Sequence, residues 1–330
     1  MEPTNMENSG PMRSNYVWPL PPGGESATDR LLRGAIDLHH HGFPEFSLEN
    51  TYRMDDWDEL GLSSAAGLSG VVLKSHMWPT VGRAYLLTRM LPDIEVIPSI
   101  TLNTVAGGFS PVAVESAALQ GARVLFMPTW SAANDIENKG FSSILGRHVP
   151  TIFESISRGG LRATDSSGRL LPEVRECLSV AREHGMLVCT AHLSPTESLA
   201  VAAAAVDMGI EEIVFSHPDS KSVNANREQI RDMAVLGACC EFCILGMMPA
   251  YQRTSVQSIL DIMQDVTAEK LVITTDYYGE WSPPGAEMMR MAIGVLLAAG
   301  VTEADLQTVF KDNPRRLLAS SLRRYPSRLL

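Results

Sequence analysis

The sequence has no hydrophobic run that approaches the roughly 20 residues of a membrane-spanning helix. Its alanine-rich stretch, residues 199–206, is far too short for that purpose. It also has no dense run of lysine or arginine, and its formal net charge is −11. Nucleic-acid binding through a basic patch is therefore not expected. These absences favour a small molecule as partner, with neither a nucleic acid nor a membrane.

Cysteine is scarce, with five residues in a chain of 330. All five lie in apolar stretches, and their spacing suggests no disulfide framework. Cys240 and Cys243 form a C-x-x-C, but a single pair is a weak metal signal. The surrounding AVLGACCEFCILG is typical of a buried strand, so we interpret these as core thiols. Since the first residues also lack the apolar segment of a signal peptide, we expect a reducing, cytoplasmic location.

Apolar segments alternate with helical signals along the chain after residue 30. Helix starts are indicated by Ser110 followed by Pro111, and by a capping box over Ser194–Glu197. Strands that alternate with helices of 10–15 residues predict parallel strands joined by crossover helices. The apolar runs are eight in number, at residues 34–41, 70–76, 95–103, 123–129, 186–192, 212–217, 238–246 and 270–276.

Eight such units in about 300 residues predict an α/β fold of the (β/α)₈ TIM-barrel type. A doubly wound sheet is the alternative, but no glycine-rich phosphate loop follows the first strand. The alternation of apolar runs and helical signals is interrupted over residues 130–172. This interruption predicts a long loop and hairpin insertion after strand 4, with a turn at Asp165–Gly168. We expect one barrel domain at residues 31–320, between a flexible tail at 1–30 and a C-terminal tail at 321–330.

Five of the apolar runs close on a histidine, a lysine or an aspartate: IDLHHH, VVLKSH, VCTAH, IVFSH and VITTD. Active residues of a TIM barrel lie at the C-terminal ends of its strands. The barrel therefore predicts that these side chains converge on one mouth. Four imidazoles and a carboxylate suit zinc or a similar divalent ion. The predicted metal ligands are His39, His41, His192, His217 and Asp276.

Strand alternation places Asp37, His39 and His41 on one face, with Asp37 deeper in the barrel and His40 on the opposite face. A solvated polar cluster is the alternative for this segment. For His192, a structural hydrogen bond is the simpler alternative to metal binding.

At these residues the sequence resembles the amidohydrolase superfamily, over roughly residues 34–320. That family places H-x-H on strand 1, a histidine on each of strands 5 and 6, and an aspartate on strand 8. The segment FKDNPRRLL, residues 310–318, resembles the closing segment of many members. The resemblance implies a metal-dependent hydrolase made of the barrel alone, with one or two divalent metals per chain.

The sequence departs from that family on strand 4. Binuclear members commonly carry a carboxylated lysine or a glutamate there, whereas ARVLFMPTW offers no residue that bridges metals. Lys74 stands at the end of strand 2 instead. It is predicted either as a carboxylated metal ligand or as a cation that holds Asp276 or a substrate carboxylate.

The leading functional hypothesis is hydrolysis of an amide, imide, lactone or related carbonyl bond. A divalent ion lowers the pKa of its bound water to roughly 7, and Asp276 would take the proton as general base. The rival is non-oxidative decarboxylation with one metal, as in the aminocarboxymuconate-semialdehyde decarboxylase branch, which lacks the strand-4 bridge. A barrel that has lost catalysis and serves for binding is the third interpretation. The D-x-H-x-H start also suggests a phosphoesterase, but its usual D-x-H ending is Asp276-Tyr277-Tyr278 here.

Substrate contacts are predicted at His76, Trp130 and Tyr278, which follow strand ends; rim packing is the alternative. Lys139, Arg147 and His148 in the insertion hint at an anionic group. The apolar segment 288–299 is explained either by burial in the domain or by a homo-oligomer contact.

Overall fold

The computed structural model describes residues 25–157, 159–279 and 281–320. Its eight strands are all parallel and follow one another in the order β1 to β8. The first and last strands meet through hydrogen bonds from Asp276 N to His39 O (2.8 Å) and from His41 N to Tyr277 O (3.1 Å). The predicted (β/α)₈ barrel is confirmed. The strands are β1 Ile36–His41, β2 Gly70–Lys74, β3 Glu95–Thr101, β4 Val124–Phe126, β5 Leu187–Cys189, β6 Ile213–Phe215, β7 Cys239–Cys243 and β8 Leu271–Thr274.

Helices follow the strands around the outside of the barrel. They are α1 Ala27–Leu32, α2 Asp56–Ala65, α3 Val81–Met90, α4 Pro111–Leu119, α5 Ala133–Glu137, α6 Ser142–His148, α7 Pro150–Ile156, α8 Pro172–His184, α9 Pro195–Asp207, α10 Arg227–Val235, α11 Val256–Val266, α12 Gly285–Ala298, α13 Glu303–Gln307 and α14 Asn313–Leu317. Short 3₁₀ turns occupy Thr104–Ala106, Ile244–Met247 and Ala268–Lys270, and a π-helical turn occupies Thr308–Asp312.

Local caps begin the helices where the sequence predicts them. The Ser110 hydroxyl accepts a hydrogen bond from Ala113 N at the start of α4, and Ser194 and Glu197 form the predicted capping box of α9. Each cap satisfies backbone N–H groups that have no partner inside the helix. Helix starts of this kind depend on neighbouring residues alone.

The insertion after β4 contains more helix than the sequence indicates. The predicted insertion after strand 4 is present, but α5, α6 and α7 occupy part of the predicted loop. These helices have five to seven residues and no side-chain cap at their N-termini. Without a cap or a long periodic stretch, they leave little signal in the sequence. The predicted hairpin is confirmed by antiparallel pairing of Thr164 with Leu170.

Strand β1 contains an irregularity that changes which residues share a face. Asp37 pairs with Val71 and His40 with Leu73, so β1 has one residue more than β2 over this stretch. The extra residue is a β-bulge, which interrupts the alternation of side chains. Asp37 consequently contacts His40, at 3.3 Å from its Oδ2 to Nδ1 of the ring. The prediction that Asp37 shares a face with His39 and His41 is therefore wrong.

Helix α12 buries most of its apolar side chains inside the domain, where it packs on α1 and α2. Met291 and Val295 are its exposed apolar side chains. Burial explains the composition of this helix, and a homo-oligomer contact stays a prediction.

The predicted tails fall largely outside the described residues, although α1 already begins at Ala27. Among the helices described, none has the length and apolar content to cross a membrane.

Candidate metal centre

A cavity of about 320 Å³ opens at the C-terminal ends of the strands. Its floor carries all six residues predicted as metal ligands, together with His76 and Tyr278 from the predicted substrate contacts. Parallel strands bring their C-terminal ends to one edge, so residues far apart in sequence meet there. The ligand candidates in the lining are His39, His41, Lys74, His192, His217 and Asp276.

The two β1 histidines point at one carboxylate oxygen. Nε2 of His39 lies 3.1 Å from Oδ1 of Asp276, and Nε2 of His41 lies 3.3 Å from the same atom. Around a tetrahedral zinc with bonds of about 2.0–2.1 Å, neighbouring ligand atoms are about 3.3–3.4 Å apart. The separations of these donor atoms therefore fit a shared divalent ion.

His217 completes this group, since its ligand atom lies within 4.8 Å of those of His39 and Asp276. His192 lies beside it, with ring centroids 4.9 Å apart, but outside that group of three. His217 and Asp276 both have left-handed backbones, with φ of 26° and 48°. Such conformations are costly for residues other than glycine and are concentrated at functional sites.

In three of the histidines, His39, His192 and His217, the second ring nitrogen is held by a separate residue. Nδ1 of His39 lies 3.2 Å from Oε1 of Glu241, and Nδ1 of His192 lies 2.6 Å from Oδ2 of Asp135. Nδ1 of His217 lies 3.1 Å from the hydroxyl of Ser220. Partners of this kind fix the ring orientation of metal-binding histidines, which supports the fit of this donor set to a metal.

A second donor group lies next to the first. His41, Glu45 and His76 have ligand atoms within 4.8 Å of one another, and all three are buried. The rings of His41 and His76 stack at 4.2 Å. Nδ1 of His41 and Oε2 of Glu45 have no hydrogen-bond partner among the described residues. Buried polar atoms without partners are rare, so these two atoms are available as ligand atoms for a metal.

Burial and neighbouring charges shift the pKa values of the histidines in opposite directions. Burial and the Lys74 cation lower the pKa of His39, but Asp276 and Glu241 outweigh them and raise it to about 9. Burial, followed by the neighbouring His192, lowers the pKa of His217 to about 3. A metal requires the lone pair of a neutral imidazole, and His217 is in this neutral form at neutral pH.

Asp276 stays ionised in this setting. Burial raises the pKa of its carboxyl, but the adjacent His39 and His41 lower it well below the usual range. Asp276 is therefore a carboxylate at neutral pH, the form that metal binding and proton transfer both require.

Lys74 lies inside the donor group. Its Nζ is 2.9 Å from Nε2 of His39 and lies over the ring of Phe126 at 4.6 Å from the centroid. Its side chain is fully buried, and burial lowers its pKa. An uncharged amine is the form that carboxylation requires, whereas an ammonium would compete with a cation at His39.

Three acidic residues of this site escaped the sequence prediction: Glu45, Asp135 and Glu241. The available signal for Glu241 was a carboxylate inside the apolar strand ACCEFC, because buried charges need partners. Asp135 belongs to α5 in the insertion and contacts His192 from 57 positions away. No local pattern indicates such a pairing.

Some predicted substrate residues lie elsewhere. Trp130 is completely buried and does not line the cavity; its indole N–H donates to the carbonyl of His76 at 3.2 Å. Its predicted substrate contact is therefore not found. His148 is also outside the lining and contacts Asn50, whereas Lys139 lines the cavity. Arg147 is not part of the lining.

A family described as "Family of unknown function (DUF6282)" matches residues 34–241. No curated protein sequence matches the chain significantly. Solved structures match its fold at low identity. The probable dipeptidase PvdM from Pseudomonas aeruginosa is similar with a TM-score of 0.60 and 12% identity, over 90% of this chain and 98% of that one.

Two further neighbours have different activities in their names. A mutant of a PTE-like lactonase from Deinococcus radiodurans is similar with a TM-score of 0.53 and 16% identity, over 89% of this chain and 98% of that one. A 2,6-dihydroxybenzoate decarboxylase is similar with a TM-score of 0.54 and 12% identity, over 87% and 99%. At these identities the likeness shows the fold, and one fold serves many reactions.

Proposed function

Because this chain belongs to the family of unknown function DUF6282 and has the fold of the amidohydrolase superfamily, we propose its activity from its own site residues. It is a metal-dependent hydrolase that acts on an amide, imide, lactone or related carbonyl bond of a small molecule. The observation that carries this proposal is the approach of His39 and His41 to one oxygen of Asp276, beside His217.

His39, His41, His217 and Asp276 would hold the metal, with His192 next to them and zinc the expected ion. A divalent ion supplies Lewis acidity and lowers the pKa of water to roughly 7. Whether one or two ions bind depends on Lys74, which would bridge two ions only in its carboxylated form.

The residues of the chain have distinct tasks in this hydrolysis. Asp276, ionised and partly buried, accepts the proton of the attacking water and returns it to the leaving group. Glu241 and Asp135 keep His39 and His192 in their ring orientations. Phe141, from the insertion, and Tyr278 line the cavity and pack edge to face, with ring centroids 5.3 Å apart.

Asp276→Asn tests this assignment. The variant keeps the shape of the side chain but removes the proton acceptor, so turnover should fall by about 10²–10⁴-fold while the fold and most of the metal remain. The measurement is hydrolysis of a panel of amides, imides and lactones by zinc-loaded protein, with metal content by elemental analysis. Asp232→Asn, an exposed carboxylate of α10 outside the cavity lining, is the matched control. Full activity in Asp276→Asn would contradict the proposal.

Decarboxylation is the second candidate, and strand β4 favours it. The residues that follow this strand are Met127, Pro128 and Thr129, and none of them is a lysine or a carboxylate that would bridge two metals. Metal content per chain, together with intact mass under bicarbonate, separates the two candidates. About two metals and a labile carboxyl adduct favour the hydrolase with carboxylated Lys74. About one metal, no adduct, and carbon dioxide release from aromatic acids favour the decarboxylase.

A further inference from the structure

We propose that the rim of the cavity is an anion subsite, in which Lys139, Lys221 and Arg253 bind the carboxylate of a small organic acid. The reacting bond of that acid then lies at the floor, near Asp276. The position of the reacting bond rests on the proposed function, whereas anion binding at the rim does not.

The three cations come from three different loops and all line the cavity. Lys139 follows α5 in the insertion, Lys221 follows β6, and Arg253 follows β7. Their side chains are exposed, and among the described residues none of them forms an ion pair with a carboxylate. Other arginines of this acidic chain are paired, for example Arg83 with Asp56 at 2.7 Å.

Hydrogen bonds hold the insertion against the loop after β6. Asn134 Nδ2 donates to the carbonyl of Ser222 at 2.7 Å, and Phe141 N donates to the Ser222 hydroxyl at 3.3 Å. At Gly140 the contact is so close that a Cβ atom would lie 2.6 Å from the same hydroxyl. A packed contact therefore joins the loop that carries Lys139 to the loop that carries Lys221.

The loop after β7 is fixed to the same segment. The Thr254 hydroxyl donates to Asp219, and the amides of Arg253 and Thr254 donate to the carbonyl of Gly246 at 2.8 and 3.1 Å. All three cation-bearing loops thus meet around residues 219–222. The loop backbones of the rim are therefore fixed, so an incoming anion orders only the three exposed side chains, which lowers the cost of binding.

Cationic side chains outnumber carboxylates in the cavity lining, whereas the chain as a whole is acidic. The net charge of the chain is −11, but the lining contains the three rim cations as well as Lys74, and only two carboxylates, Asp219 and Asp276. Asp219 accepts from Thr254, and Asp276 faces the histidines. Burial raises the pKa of Asp219 and the charge of Arg253 opposes this rise, so Asp219 balances part of the rim charge. The remaining rim charge is available to a ligand, and a cleft with walls of low dielectric strengthens its attraction for anions.

The rest of the lining indicates the body of the ligand. Phe141, Ile144, Leu245, Tyr251 and Tyr278 supply apolar and aromatic walls between rim and floor. A volume of about 320 Å³ is at the small end for ligand sites. The geometry therefore points to a compact aliphatic or aromatic acid, with its carboxylate outward and its reacting group inward.

Anion binding is tested on metal-free protein, so that the anion cannot bind to a metal ion instead of the rim. Chelator-treated protein is titrated calorimetrically with benzoate, with its neutral analogue benzamide, and with inorganic phosphate. Benzoate should bind at least about tenfold more tightly than benzamide. Lys139→Gln, Lys221→Gln and Arg253→Gln should each weaken benzoate roughly threefold to tenfold and leave benzamide unchanged. Arg175, an exposed residue of α8, lies outside the cavity lining, so Arg175→Gln makes the same charge change elsewhere and should have no effect.

Two results overturn the subsite. Benzoate binding that is unaffected by all three rim substitutions would place the anion at Lys74 or elsewhere. Phosphate binding that is tighter than benzoate and depends on the same three residues would assign the rim to phosphorylated ligands instead of organic acids.

A kinetic experiment separates the subsite from the proposed function. The zinc-loaded enzyme is given mono-4-nitrophenyl succinate and its neutral methyl ester. The acid should have about tenfold higher kcat/KM, and Arg253→Gln should remove this preference through KM with kcat unchanged. If neither ester is hydrolysed while rim-dependent benzoate binding persists, the hydrolase proposal fails and the subsite stands.

Discussion

The two sides of strand β1 both bury histidine, but they use it differently. On the inner side, His39 and His41 direct Nε2 at Asp276 in an open cavity. On the outer side, His40 lies among carboxylates, with Nδ1 3.3 Å from Asp37 and Nε2 3.9 Å from Glu59, and stacks on Tyr277 at 4.8 Å. Residue type and burial are the same, so the difference lies in whether a ring nitrogen faces space that an ion can occupy.

The outer side holds the inner side in place. Asp37 accepts hydrogen bonds from the amide and the hydroxyl of Thr275 at 3.0 and 2.5 Å. Thr275 immediately precedes Asp276, whose amide donates to the carbonyl of His39. The β1–β8 seam therefore fixes the strained backbone of Asp276 next to the β1 histidines. The comparison teaches that metal ligation and barrel closure are neighbouring functions of one strand.

The largest expected effect is on the inner side. His39→Asn removes a nitrogen donor of the proposed metal group, so bound metal should fall below about a tenth of an equivalent, with hydrolysis lost by at least about 10³-fold. His40→Asn is the matched control, because it removes the neighbouring ring and should retain the metal. Elemental analysis after desalting measures both. Equal metal loss in the two variants would abolish the distinction between the sides.

The next effect is on the outer side. Asp37→Asn replaces one acceptor oxygen by an amide that cannot accept from Thr275, so the free energy of unfolding should fall by about 2–3 kcal/mol. Urea unfolding of the metal-free protein measures it. Thr275→Val should cost less, because the backbone amide of residue 275 still donates to Asp37. An unchanged midpoint in Asp37→Asn would show that the seam does not depend on this carboxylate.

A smaller effect is expected beneath the metal group. Glu241→Gln keeps the size of the side chain but removes the charge that orients His39, so zinc affinity should fall about tenfold to hundredfold. Competition with a chromogenic chelator gives this ratio. Unchanged affinity would assign Glu241 to packing with Thr274, which donates to it at 2.9 Å.

The smallest effect is on pH dependence and gives the two sides opposite signs. The pKa of His217 is lowered from 6.5 to about 3, so its stability contribution is present above pH 6.5 and is lost as the pH falls toward 3. The pKa of His40 is raised, since Asp37 and Glu59 outweigh the lowering by burial. Its contribution is therefore present below pH 6.5 and is lost as the pH rises through the folded value.

Metal-free His217→Asn should accordingly lose less stability than the parent on acidification, by about 1.4 kcal/mol at pH 5.5. His40→Asn should instead lose less stability than the parent on alkalinisation above pH 6.5. Urea midpoints across pH measure both slopes. The same sign in both variants would contradict the assignment of the two environments.

The sequence by itself determined the barrel and most of the candidate ligands. Caps such as Ser194 with Glu197 depend on residues three apart, and strand–helix alternation is a local periodicity. Once eight parallel strands are inferred, their C-terminal ends must meet at one end of the barrel. His217 and Asp276 could therefore be placed together from the sequence alone.

Only the tertiary structure decided which residues support those ligands. The bulge that turns Asp37 toward His40 depends on pairing with β2, and simple alternation assumes that no bulge occurs. Asp135 reaches His192 because the insertion folds back over β5, and Trp130 turns inward because its indole N–H finds the carbonyl of His76. These contacts join residues that are distant in the chain and depend on the packing of the whole domain. They therefore cannot be predicted from the local sequence.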